Sequence, residues 1–208
     1  MRKPTRAAYL ARPAFFAPLS IEFLLMPFLL RLLCLLPLLG TAAFIAPEAA
    51  KPKAVTVYLV RHAEKGPLAD PQKPAEQPLS AAGALRAQAL RDVLRKEPIV
   101  AIYSTDTKRT RDTAAPLAEA RKISPESYVA DPPGLAALAT RIRQVTPAGK
   151  AALVVGHSNT VLETIEALGA PRPIKAIGDD EFSYLFVVTL PASGGPATAT
   201  VRRYGAGK

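Results

Sequence analysis

Ala54-Val55-Thr56-Val57-Tyr58-Leu59-Val60-Arg61-His62-Ala63-Glu64-Lys65 is the stretch on which the fold turns. It begins as a short apolar run rich in β-branched and aromatic residues, the pattern of a buried strand. It ends abruptly in a cation, an imidazole and a carboxylate. Open α/β sheets bind ligands beyond the carboxyl ends of their strands, which is where this reading places Arg61 and His62. A strand must end in something polar, so the stretch alone does not establish a site. Two later stretches repeat the pattern. Ile99–Tyr103 reads as a strand and runs into Ser104-Thr105-Asp106-Thr107-Lys108-Arg109-Thr110. Ala151–Val155 reads as another and runs into Gly156-His157-Ser158-Asn159.

The segments between these strands have the character of helices. Ser80 is an N-cap for a helix over 81–96, with Leu85, Ala89, Leu90, Val93 and Leu94 as its apolar face. Further helices are expected over 107–120, where Pro116 is a potential kink, over 134–145, and from the turn after His157 to Leu168. A short strand is expected near 127–130. The segments 184–190 and 197–204 read as a closing hairpin. The four prolines of 66–78 rule out regular structure there. Alternating strands and helices predict an α/β fold, a three-layer sandwich whose mostly parallel sheet carries helices on both faces.

Composition sets the outer limits. The 208-residue chain carries a net charge of +10; from Lys51 onward, 22 basic residues stand against 15 acidic ones. This balance favours anionic partners. The basic residues are scattered, without runs or interleaved aromatics, which argues against nucleic acid. A domain of roughly 160 residues buries enough surface to need neither disulfide nor metal. The single cysteine, Cys34, lies outside it.

Residues 1–46 read as a targeting segment. A basic start (Arg2, Lys3, Arg6, Arg12) precedes an uncharged, Leu-rich run of 15 residues from Leu32 to Ala46. That is shorter than the ~20 residues of a spanning helix. Thr41-Ala42-Ala43 supplies the small residues of a cleavage site after Ala43. The expected product is periplasmic or secreted, with no stable membrane insertion once the signal is removed. The alternative is an anchor that stays uncleaved. Translation from Met26 instead of Met1 would give a more ordinary signal. A Pro/Ala/Lys linker, 47–53, leads into the domain 54–208.

The chain contains two histidines, His62 and His157, and each follows a buried-strand pattern. Taken singly, His157 reads equally well as a hydrogen-bonded core residue, and Arg109 as a solvated helix residue. Together, three strand ends would gather two imidazoles and the guanidinium groups of Arg61 and Arg109, which match phosphate oxygens bidentately. The Ser158 amide, at a strand-to-helix turn, is a further anion donor.

The motifs Leu59-Val60-Arg61-His62-Ala63-Glu64, Ser104 through Arg109-Thr110 with Thr113-Ala114, and Val155-Gly156-His157-Ser158-Asn159 resemble the histidine phosphatase superfamily, the phosphoglycerate mutase-like fold. Leu79-Ser80 with Gly83 and Arg86-Ala87 is similar to its first helix. Ala63 stands where glycine is more usual, and Lys65 where many members have Ser or Thr. The resemblance implies a phosphomonoester hydrolase with His62 as nucleophile and Arg61, Arg109, His157 and Ser158 holding the phosphoryl group. It implies no cofactor and no metal. Glu64 is the candidate general acid or an orienter of an arginine; Glu126 and Asp131 lie in the segment where the family keeps its acid. A phosphoglycerate-type mutase and a catalytically idle phosphate-binding module are the alternatives. Only 47 residues separate Arg109 from His157, too few for a mutase cap. An open site suits a bulky phosphorylated substrate, an envelope saccharide phosphate among them. Export is checked by fusing residues 1–50 to a reporter that works only outside the cytoplasm: activity is expected, and a silent, cytoplasmic fusion would contradict the reading.

Overall fold

The computed structural model describes residues 53–206. The targeting segment 1–46, its cleavage site, Cys34 and all of the linker except Lys53 lie outside the described residues.

Six strands form one sheet: β1 (Val55–Arg61), β2 (Ile99–Ser104), β3 (Glu126–Ser127), β4 (Ala151–Gly156), β5 (Tyr184–Leu190) and β6 (Thr198–Arg203). Their order is β3-β2-β4-β1-β5-β6. The pairs β3–β2, β2–β4 and β4–β1 are parallel, whereas β5 and β6 are added antiparallel. Four helices connect and cover them: α1 (Ala81–Val93), α2 (Lys108–Arg121), α3 (Pro132–Val145) and α4 (Val161–Ala167). The three-layer expectation holds, and the reason is visible along the strands. Val57 and Leu59 join Ala152, Val154, Phe186 and Val188 in one core with α3 and α4. The alternate residues Tyr58 and Val60 join Leu153, Val155 and Leu185 in a second core with α1 and α2. A strand apolar at every position has two faces to bury, and one helix pair covers each.

Local chemistry sets the helix ends. The Ser80 hydroxyl accepts from Gly83 N at 3.1 Å to cap α1. The Asp131 carboxylate accepts from Gly134 N at 2.7 Å to cap α3, whose first turn opens with Pro132. Helix α2 runs on through Pro116, which leaves one helix carbonyl without its donor. Within 66–78 the structure adds one 3-10 turn, Pro74–Glu76, and a bridge between Lys65 and Leu79 closes the loop.

Two expectations are corrected. Helix α1 ends at Val93, and the expected apolar face holds only in part: Leu90 and Leu94 are buried and Ala89 packs against the core. Leu85 is 73% exposed and Val93 47%, while Gly83, Arg86, Ala87 and Leu90 face inward. Gly83 lies so close to the backbone of Glu64 that a Cβ there would collide with the Glu64 carbonyl. That approach turns the helix and draws Arg86 inward. Helix α4 starts only at Val161, so Ser158 lies in a turn and not at a helix N-terminus. The Thr160 hydroxyl accepts from His157 N at 3.2 Å, which holds the chain in that turn before the helix begins. Among the described residues no helix is long and apolar enough to cross a membrane.

Candidate functional site

The site is assembled by strand register. Strands β1 and β4 are parallel neighbours with Arg61 opposite Gly156. The next amide, His62 N, continues the ladder by donating to Gly156 O at 2.9 Å. His62 and His157 therefore leave the sheet side by side, with ring centroids 5.4 Å apart in an edge arrangement. A single phosphoryl group can reach both.

His62 is buried, and its Nδ1 lies 2.8 Å from Ala63 O. A carbonyl only accepts, so in the neutral ring the proton is on Nδ1 and the lone pair is on Nε2. Burial, with smaller contributions from His157, Arg109 and Arg61, pushes the His62 pKa down to about 3 against the opposing bond to Ala63. Burial and the same two arginines push His157 down to about 4. Both rings are neutral near pH 7. A neutral imidazole with a free Nε2 lone pair is a nucleophile.

Arg61 is 5% exposed at the end of β1. Its Nη1 donates to Gly178 O at 2.7 Å and Glu181 O at 3.4 Å. Its guanidinium carbon lies 4.2 Å from the centroid of Phe182, whose ring is also 6.2 Å from His62. A cation over an aromatic face is attracted to it. Arg109 sits in the first turn of α2 and donates from Nη1 to Pro74 O at 3.2 Å. The Thr113 hydroxyl joins these parts: it accepts from Ala63 N at 2.9 Å and donates to Arg109 O at 2.7 Å. The Nε atoms of Arg61 and Arg109 are both buried, and neither finds a hydrogen-bond partner among the described residues. Buried guanidinium donors without acceptors suit an anion.

The structure thus gathers Arg61, His62 and His157 directly and brings Arg109 near enough to depress both imidazoles. The other sequence candidates lie elsewhere or are engaged. Arg86 on α1 donates to the Glu64 carboxylate from Nε at 2.9 Å and from Nη2 at 2.7 Å. Burial raises the Glu64 carboxyl, but the bonds and charge of Arg86 outweigh it and hold the group below its ordinary value. The catalytic assignment of Glu64 is corrected on this ground: an ionised, bidentate partner of Arg86 is an orienter and not a proton donor. Its arginine is Arg86 and not a member of the phosphate set. Arg86 also donates to Tyr204 O at 3.1 Å and Ala206 O at 2.7 Å, so the pair fastens the end of the domain to the segment after His62. Glu126 is paired with Arg141 at the surface, and Asp131 is spent as the α3 cap.

The sequence did not single out Phe182 or the 178–181 carbonyls, and Arg86, Thr105, Thr110 and Thr113 stood in it only as parts of motifs, without a role. For Arg86 a signal existed in its spacing from Gly83 and Leu90 on one helix face. Nothing in the spacing of Phe182 ties it to β1, because the link is made only by the fold.

The sequence pattern of the histidine phosphatase superfamily (branch 1) matches residues 57–130. A comparison with curated proteins found no match. Solved structures with the same fold include the protein histidine phosphatase SixA complexed with tungstate, at 18% identity and a TM-score of 0.54, over 73% of this chain and 96% of that one. A second is the native structure of a mycobacterial glucosyl-3-phosphoglycerate phosphatase, at 15% identity and a TM-score of 0.56, over 74% and 100%. At these identities the likeness is one of fold.

The buried imidazoles have a consequence for stability. The unfolded chain takes up protons on both histidines as pH falls below 6.5, whereas the folded chain does not until about 4 and about 3. The unfolded state binds more protons across that window, so stability falls as pH falls. Thermal unfolding followed from about pH 7 to about pH 5, above the range in which carboxylates titrate, should show a falling midpoint. His62→Gln combined with His157→Gln should flatten the dependence. A wild-type midpoint independent of pH over this window would contradict the burial described.

Proposed function

We propose that this chain, a member of the histidine phosphatase superfamily, hydrolyses phosphomonoesters through a phosphohistidine formed on His62. The observation that carries the reading is a neutral His62 with its proton committed to Ala63 O, 5.4 Å from His157 and beside the buried Arg61 and the half-buried Arg109. The Nε2 lone pair attacks phosphorus in line as the bond to the ester oxygen breaks. The phosphorylated ring gains positive charge, which the Ala63 carbonyl stabilises through Nδ1–H. Arg61, Arg109 and His157 hold the equatorial oxygens and stabilise the charge of the transition state. Water then attacks phosphorus and breaks the P–N bond. Inorganic phosphate leaves, and His62 returns to its neutral form. The arginines supply positive charge for the phosphoryl group.

Glu64, Glu126 and Asp131 are each engaged elsewhere, and the leaving-group proton is taken to come from solvent in preference to Asp179 or Asp180, whose charges act on Arg61. Such an enzyme favours leaving groups of low pKa, which need little protonation. A hydrolase over a mutase is supported by the short span between Arg109 and His157, which holds the rest of α2, β3 and α3. A protein phosphohistidine and a phosphorylated saccharide acid head the substrate panel, by analogy with the two structural relatives.

Steady-state kinetics on a series of aryl and alkyl phosphates test the reading. Turnover should rise steeply with leaving-group acidity. Arg109→Ala should lose roughly 3 kcal/mol of transition-state stabilisation, about a hundredfold in kcat/KM. Absence of turnover on the whole panel would favour the idle phosphate-binding module, and a rate indifferent to the leaving group would contradict protonation by solvent.

A further inference from the structure

His157 is held by a chain of buried hydroxyls that the reaction scheme does not use. The Thr105 hydroxyl lies 2.9 Å from His157 Nε2 and 3.0 Å from the Thr110 hydroxyl. Thr110 is fully buried. Its oxygen also lies 2.8 Å from Thr105 O, 2.8 Å from Thr107 O and 2.9 Å from the Thr107 hydroxyl. Counting protons favours one direction. The two carbonyls only accept, and Thr110 has one proton, which goes to one of them. Its lone pairs are then what it offers to the Thr105 and Thr107 hydroxyls. With Thr105 donating to Thr110, a Thr105 lone pair faces His157 Nε2; with Thr105 donating to His157, the ring would have to be bare at Nε2.

We propose that Thr110 and Thr105 act as a one-way hydroxyl relay that fixes His157 in its Nε2–H tautomer and leaves Nδ1 available to a phosphoryl oxygen. The two threonines are positioning residues. Their kinetic role rests on the phosphatase reading, whereas the tautomer does not. His62 and His157 thereby carry opposite tautomers: His62 is protonated at Nδ1 by its bond to Ala63 O, and His157 at Nε2 by its bond to Thr105. The consequence for substrate is chemical. A bare Nδ1 lone pair repels a fully ionised phosphoryl oxygen but accepts a proton from a monoanionic phosphoryl group. The relay therefore admits the phosphoryl group together with one proton, shared between its oxygen and Nδ1.

The chain has only two histidines, so nitrogen NMR of the full chain labelled with 15N-histidine gives a spectrum of four ring nitrogens. Near pH 7 the expected pattern is one ring protonated at Nδ1 and one at Nε2. Thr110→Val removes the acceptor, frees the Thr105 proton to turn toward Nε2, and should move His157 to the Nδ1–H form. Thr110→Ser keeps the hydroxyl and should keep the wild-type pattern. Thr105→Val removes the partner itself and should leave His157 as a mixture of tautomers, which provides the test if Thr110→Val does not fold. For turnover, Thr110→Val should lower kcat roughly tenfold and Thr110→Ser should restore it, because a histidine in the wrong tautomer loses its function while its position is kept. Two rings protonated at Nδ1 in the wild type, or a Thr110→Val spectrum unchanged from wild type, would overturn the relay even with turnover intact. The expected spectrum in a protein without turnover would leave the relay standing and overturn the phosphatase reading alone.

Discussion

The hydrogen bond from His62 N to Gly156 O, 2.9 Å long, is the constraint from which the site follows. It extends the parallel β1–β4 ladder one residue beyond the last paired strand positions, Arg61 and Gly156. Parallel pairing places the carboxyl ends of both strands at the same edge of the sheet. Two histidines far apart in the chain therefore become neighbours by register, with no side-chain contact needed to bring them together. A slip of one residue in either strand would turn one imidazole to the opposite face. The two apolar cores, interleaved along β1 and β4, are what forbid that slip.

The fold works against its own solvation to hold this arrangement. It buries His62 and Arg61 and half-buries His157 and Arg109, and it does so where like charge discourages protonation of the rings. The arginines are held by carbonyls at Gly178, Glu181 and Pro74 and by the ring of Phe182, while the carboxylates of Asp179, Asp180, Glu181 and Glu64 act on the charge of Arg61. The full ion pair of the region, Glu64 with Arg86, is placed one turn away, where it fastens α1 and the end of the domain to the segment after His62. A carboxylate is thus used to secure structure beside the site.

Strand placement, the three layers and the gathering of Arg61, His62, Arg109 and His157 were legible in the sequence, because each is encoded locally: an apolar run sets a strand, and the residue after it sits at the sheet edge. The failures have physical reasons. The buried face of α1 was partly misread because hydrophobicity ranks Leu85 above Arg86, whereas the close approach of Gly83 to Glu64 decides which side faces inward. Glu64 looked available as an acid because its partner lies 22 residues on and meets it only in the folded chain. Ser158 was placed at a helix end because helix boundaries are weakly encoded; the Thr160 hydroxyl delays α4 by closing a turn on His157. The contacts of Phe182 and the bond between Thr105 and His157 are tertiary, whereas Thr105, Thr107 and Thr110 meet one another within a few residues of chain.

The central claim is that His62 carries the phosphoryl group, and rapid-quench labelling addresses it directly. Wild-type protein mixed with a phosphomonoester labelled at phosphorus should acquire acid-labile, base-stable label within a single turnover, and peptide mapping should place it on His62. The label should be absent from His62→Ala. Label mapped to His157, or turnover with no labelled residue at any quench time, would contradict the account.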